Sequence, residues 1–243
     1  MTEILLGLVA AVLAITLHEA AHGYAAWALG DDTARKAGRL SLSPFAHVDR
    51  MGTIIVPITL LVGQLLTIHR VAFMFGWAKP VPVAAWRFKY PRQGMMLVAA
   101  AGPAMNFGLS LLATLVLLWI YPETSLGDER MLATFLIDFI QFNLVLGLFN
   151  LLPIPPLDGG RVVVGLLPER AALVWAKLER VGIVVVLLMV FIIPEMSRDF
   201  GHRIDPVNEA FNRILPWALN LDLNAAYFVL KHGARLFGIT YGD

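Results

Sequence analysis

From Ile4 to Leu17 the chain carries no charged side chain, and Gly23 to Leu29 carries none either. Between them, Thr16-Leu17-His18-Glu19-Ala20-Ala21-His22 places three ionisable groups in five residues. An apolar run of this length is long enough to cross a bilayer, and inside lipid it must be helical to satisfy its own backbone. On a helix His18 and His22 lie one turn apart on the same face. That spacing lets two neutral imidazoles bind one Zn2+, with Glu19 placed to act on a coordinated water. An H-E-x-x-H string arises by accident about once in a hundred chains of this size. A central acidic residue in a membrane helix costs about 2.5–3.5 kcal/mol on insertion scales, which makes the accident rarer here. The three groups need a shared purpose.

The rest of the composition agrees with a polytopic membrane protein. Of 243 residues, 58% are hydrophobic and only 15% charged, with mean hydropathy +0.71; soluble domains are nearer a quarter charged. There is no cysteine, so any metal must be held by histidine and carboxylate. Met1-Thr2-Glu3 lacks the basic start of a signal peptide, and residues 4–29 are expected to be a retained span.

Along the chain, Gly30-Asp31-Asp32 ends the first span. The alternation Gly38-Arg39-Leu40-Ser41-Leu42-Ser43-Pro44 predicts a short edge strand. Residues 51–68 are apolar but interrupted by Pro57 and Gly63, which predicts a re-entrant hairpin. Phe75 to Val83 carries too much proline and glycine for a helix. A second span is expected over about 94–121. It contains Gly102-Pro103-Ala104-Met105-Asn106, where packing is favoured over a reach of Asn106 toward the metal site as a substrate or oxyanion contact. A short acidic connector, 122–130, leads to a third span over about 131–152, whose Asp138, Gln141 and Asn143 are given no catalytic role. A fourth runs over about 171–194, and the tail from 195 reads as an amphipathic, interfacial segment. The expected fold is thus all-α and polytopic, with about four transmembrane helices, a re-entrant hairpin and a short β element. Residues 1–165 form a core, and 166–243 a C-terminal transmembrane helix and tail.

Two histidines do not complete a catalytic zinc site, which takes three protein ligands and leaves one position open. Asp158 is the best remaining candidate, at a sharp break in an apolar region and followed by Gly159-Gly160. The competing reading is a helix N-cap ahead of Gly159-Gly160-Arg161-Val162.

At this point the motifs resemble those of the site-2 proteases, the intramembrane zinc metalloproteases of peptidase family M50. His18-Glu19-Ala20-Ala21-His22 resembles the family's H-E-x-x-H, and Asn150-Leu151-Leu152-Pro153-Ile154-Pro155-Pro156-Leu157-Asp158-Gly159 its N-x-x-P-x-P-x-x-D-G element. Gly38-Arg39-Leu40-Ser41, His47-Val48-Asp49, Gly76-Trp77-Ala78-Lys79-Pro80-Val81-Pro82 and Gly102-Pro103-Ala104-Met105-Asn106 resemble the compact bacterial branch. The similarity covers about residues 15–165; no PDZ domain lies between the end motifs, and no CBS pair follows. The resemblance implies one zinc per chain on His18, His22 and Asp158, Glu19 as general base, and Asn150 as a contact for substrate or oxyanion. It implies hydrolysis of a peptide bond in or near a transmembrane helix of a substrate protein, in a bacterial inner or plasma membrane.

A divalent-metal transporter or a pseudoprotease scaffold is the competing class. Transport would spread ionisable groups along one route across the bilayer, whereas these cluster at one depth. No nucleic-acid partner is expected, and the sequence carries no signal for an oligomeric state. The loops at 30–50 and 69–93 hold nine Lys and Arg, against one in 122–130. The positive-inside rule therefore places both basic loops, and the metal site, toward the cytoplasm.

Overall fold

The computed structural model describes residues 2–67, 69, 76–121, 130–199 and 205–236. Most of the 122–130 connector, together with Arg70, Phe75 and His202, lies outside them. Ten α-helices follow in order among the described residues: α1 Thr2–Ala28, α2 Thr33–Lys36, α3 Val56–Thr67, α4 Pro91–Ile120, α5 Arg130–Asn150, α6 Asp158–Leu166, α7 Glu169–Lys177, α8 Glu179–Leu187, α9 Ile193–Asp199 and α10 Pro206–Leu236. Helix α4 is central and packs against α1, α5, α6 and α10, while α1 also meets α5.

Small residues let these helices approach closely. Helix α1 turns Ala10 and Ala14 inward, and one turn on His18 occupies the same buried row; Ile4, Leu8, Val12 and Ile15 point outward. Helix α4 buries Gly102, Asn106, Ser110 and Thr114 at four-residue spacing. A row of that spacing drifts by about 40° per step. Its upper members accordingly face α1 and α5, and its lower members face α10. Ala113, Leu136, Ile140, Leu144 and Ala218 form the apolar core among α4, α5 and α10.

Four helical stretches are long and apolar enough to span a membrane: Thr2–Ala28, Arg50–Thr67, Pro91–Ile120 and Met131–Asn150. Three of them are expected spans, and Arg50–Thr67 is the stretch expected to be a re-entrant hairpin. Residues 171–194 are not a single helix: α7 ends where the chain turns at Leu178, and an unbroken helical stretch of α8, a π-helical turn (Leu188–Ile192) and α9 then covers residues 179–199, with its apolar part inside the expected span. Arg50–Thr67 is a π-helical turn (Arg50–Ile55) running into α3 without interruption. Pro57 does not break it; it directly follows the π-helical turn, where Val56 N–H reaches back to Met51 O and the regular i→i−4 ladder is already displaced. The chain nevertheless comes back. The amide of Trp77 donates to Gly52 O at 3.1 Å, Lys79 N to His47 O at 2.8 Å, and Thr53 Oγ1 to Trp77 O at 2.9 Å.

The short β element at 38–43 is not formed; the described residues contain no strand. Arg39 is turned inward, 8% exposed, and its guanidinium bonds Ala46 O and Lys79 O, while Leu42 points outward at 59% exposure. The alternation is therefore that of a clamped loop with no partner strand. Helix α10 is amphipathic as expected, but inverted. Ala218, Asp222 and Ala226 are buried against the protein, and Trp217, Leu221, Tyr227 and Phe228 face away from it. Ser110 Oγ and Thr114 Oγ1 donate to Asp222 Oδ2 at 2.9 and 2.6 Å, which fixes the helix to α4.

Candidate metal centre

His18 and His22 project from α1 toward α4, and Asp158, the first residue of α6, meets them there. The three ligand-type atoms form a nearly equilateral triangle. His18 Nε2 and His22 Nε2 are 3.1 Å apart, and Asp158 Oδ2 lies 3.1 Å from the first and 3.3 Å from the second. Tetrahedral zinc with bonds of 2.0–2.1 Å spaces its ligand atoms by about 3.3–3.4 Å, so the triangle has the right size.

The hydrogen bonds behind the imidazoles decide what faces the centre. His22 Nδ1 lies 2.7 Å from Val98 O, a carbonyl that can only accept, so Nδ1 carries the proton. His18 Nδ1 lies 2.6 Å from Asn106 Oδ1. The Asn106 amide nitrogen is committed to Asn143 Oδ1 at 2.8 Å and Ala14 O at 3.4 Å, so the oxygen faces His18. In the neutral form that binds a metal, both rings thus turn an Nε2 lone pair inward, beside a buried Asp158 oxygen with no other hydrogen-bond donor. Three acceptors converge with no proton among them. A divalent cation satisfies all three, and the donor set, two imidazoles and a carboxylate, suits zinc.

The local fold explains how Asp158 reaches this point. Leu151 to Leu157 folds back tightly, with a cis Pro155–Pro156 bond, and a side chain at Gly159 would strike the backbone of Leu151 and Leu152. The cap position of α6 is taken by Leu157, and Asp158 makes no capping bond; its carboxylate points to the histidines instead. Gly102 of α4 is equally constrained. A Cβ there would lie 2.5–2.6 Å from His18 Cε1, His22 Cε1 and His22 Nε2.

Glu19 is half-buried on the adjoining face of α1, and its Oε2 accepts the Val81 amide at 3.3 Å. Asn106 is fully buried with every polar atom engaged, its oxygen to His18 and its nitrogen to Asn143. Asn143, given no role from sequence, is the next link and donates to Phe139 O at 2.8 Å. Asn150 ends α5 and donates to Leu146 O at 3.0 Å, outside the trio. His47 ends a 3₁₀ turn, Pro44–His47, and is buried and bonded to Ser41 O at 2.9 Å. Outside the membrane, burial pushes the Asp31 carboxyl up. Bonds from the Thr33 hydroxyl and the Ala84 and Thr33 amides, with Arg87 nearby, outweigh that and hold it below the usual carboxylate range.

Comparison with known proteins places this arrangement. The "Putative zinc metalloprotease YwhC" of Bacillus subtilis (strain 168) is 41% identical over 186 residues, 75% of this chain and 78% of that protein. The family described as Peptidase family M50 matches residues 124–193, the stretch containing Asp158. The chain belongs to peptidase family M50. A second relative, the "Putative zinc metalloprotease Rip2" of Mycolicibacterium smegmatis (strain ATCC 700084 / mc(2)155), is 31% identical over 192 residues, 78% of this chain and 67% of that protein. No solved structure gives a significant match. With four helices of spanning length, this M50 member is an integral membrane protein.

Proposed function

We propose that the protein is an intramembrane zinc metalloprotease that hydrolyses a peptide bond in or near a transmembrane segment of another membrane protein. The observation that carries this reading is the convergence of two Nε2 lone pairs and an unpartnered buried carboxylate oxygen beside Glu19. His18, His22 and Asp158 would hold one zinc per chain. When bound, zinc supplies Lewis acidity for the scissile carbonyl and brings the pKa of a coordinated water to about 7.

The chain's own residues supply the rest. Glu19 takes a proton from the attacking water and returns it to the leaving amine. Val98 O and Asn106 hold the two imidazoles in the tautomer that leaves Nε2 free. Asn150, whose amide keeps a second N–H beyond the one given to Leu146 O, would offer it to a substrate carbonyl. A substrate helix must unwind locally before its backbone can be attacked.

The return of residues 76–79 to 47–53 supports reading Arg50–Thr67 as one leg of a re-entrant loop. From Gly52 to Thr67 a helix rises about 22 Å, and the nine residues on to Gly76 can span up to about 30 Å, enough to retrace it. Both basic loops then share one side, assigned to the cytoplasm of a bacterial plasma membrane. The metal centre lies toward that side.

The test is incubation of the purified protein with a panel of single-span substrates, as prepared, after chelation, and after return of zinc. Cleavage that is lost on chelation and restored by zinc is expected. Cleavage indifferent to chelation would refute a metalloprotease.

A further inference from the structure

The stretch Lys79-Pro80-Val81-Pro82-Val83-Ala84 has no helix or strand of its own, yet both of its ends are pinned by buried charged side chains. At one end Arg39, 8% exposed, spans two carbonyls, Ala46 O and Lys79 O, the latter at 2.5 Å. Lys79 N donates to His47 O at 2.8 Å beside it. At the other end Asp31, 0% exposed, accepts Ala84 N through Oδ2 at 2.6 Å. Its second oxygen is held by Thr33 N and Thr33 Oγ1 at 3.0 and 2.5 Å. Both clamps come from the loop that follows α1, the helix bearing the metal-site histidines.

Between the clamps the strap meets α1 at two points. The Val81 side chain lies over Gly23, where an added Cβ would be 3.2 Å from Val81 Cγ1. The Val81 N–H donates to Glu19 Oε2 at 3.3 Å. Pro80 and Pro82 have no N–H, so Val81 is the single backbone donor of this tripeptide. A glutamate with three rotatable side-chain bonds needs such a fixed partner, because a base works only within about 2.6–3.2 Å of the proton it takes.

We propose that the strap positions the base: Val81 N–H fixes one oxygen of Glu19 and leaves Oε1 to receive the proton, and Arg39 and Asp31 are positioning residues that hold the strap in register. This rests on Glu19 being the base of the proposed protease, and it adds a function to a loop that contributes no metal ligand.

Two Val81 variants separate the amide from the side chain. Val81→Pro removes the N–H, whereas Val81→Ala keeps it and removes only the packing on Gly23. In zinc-loaded protein acting on a single-span substrate, Val81→Pro should lower kcat about 10-fold, with KM and zinc content unchanged; misplacing a reacting group by about 1 Å costs up to 100-fold. Val81→Ala should stay within about twofold of wild type. Arg39→Ala should reproduce the kcat loss, Arg39→Lys should restore part of it, and Arg39→Ala with Val81→Pro should be no worse than Val81→Pro alone. Equal kcat for the two Val81 variants, or loss of zinc in Arg39→Ala, would overturn the proposal. Amide exchange at Val81 provides a readout independent of cleavage: Glu19→Ala should accelerate it about 10-fold, as expected when a bond of about 1.4 kcal/mol is lost. If zinc-loaded wild type cleaved nothing, the functional reading would fall, and unchanged Val81 exchange in Glu19→Ala would separately sink the strap.

Discussion

Gly102→Ala tests the metal centre through a residue that is not a ligand. The new Cβ would lie 2.5 Å from His22 Cε1 and 2.6 Å from His18 Cε1 and His22 Nε2. Carbon atoms rest at about 3.5–4.0 Å, so about 1 Å must be found. The rings cannot swing aside freely, because His18 is tied to Asn106 and His22 to Val98 O, both on the same helix as Gly102. Moving α4 away by about 1 Å instead stretches both bonds beyond hydrogen-bond range. Two bonds at about 0.5–1.5 kcal/mol each give a loss of about 1–3 kcal/mol, comparable with the usual cost of overpacking. Loss of ligand support of this kind lowers metal affinity by about 10–100-fold. Zinc affinity in detergent, measured by competition with a chromophoric chelator, is the assay, with Asp158→Ala as the control that should lose zinc outright. Wild-type affinity in Gly102→Ala would refute the packing of α4 against the ligand imidazoles.

Asn106→Ala should weaken zinc about 10–100-fold, while one zinc per chain still binds at saturation; loss of cleavage with unchanged affinity would instead make Asn106 a substrate contact. Asp222→Ala removes the acceptor shared by Ser110 and Thr114 and should cost about 1–3 kcal/mol. Faster hydrogen exchange across α10 with unchanged zinc affinity is the expected result, and unaltered exchange would show that α10 is held otherwise. Single cysteines replacing Lys36 and Lys89 should both be labelled from the cytoplasm, and one replacing Thr124 from the opposite side. Labelling of the Lys89 site only from outside would contradict a returning 50–79 segment.

What could be read from the sequence was chemistry held in short spacing. His18 and His22 are one helical turn apart, so their shared face follows from the helix alone. Asp158 could be proposed because an unpaired carboxylate in an apolar break is costly. Its choice over a helix cap needed the fold, which sets Leu157 at the cap and turns the carboxylate inward. The Asn106–Asn143 relay was hidden because sequence does not say which neighbour a polar face meets, although the four-residue row from Gly102 to Thr114 marked that face. Residues 38–43 misled because alternation was read as a pleat, whereas Arg39 is the inward residue and binds carbonyls. Pro57 misled because its effect depends on its place in a helix, and here it follows a π-helical turn whose hydrogen bonds already depart from the i→i−4 ladder. The start of the 171–194 stretch misled because apolar composition continued through the turn at Leu178, after which the helix runs on over residues 179–199.

The central claim is that His18, His22 and Asp158 bind zinc while Glu19 moves the proton. Glu19→Gln separates these roles, since it retains all three ligands and removes the base. Zinc content and cleavage of a single-span substrate, measured on the same preparation, should show about one zinc per chain and cleavage reduced by at least about 100-fold. Wild-type cleavage in that variant would contradict the account.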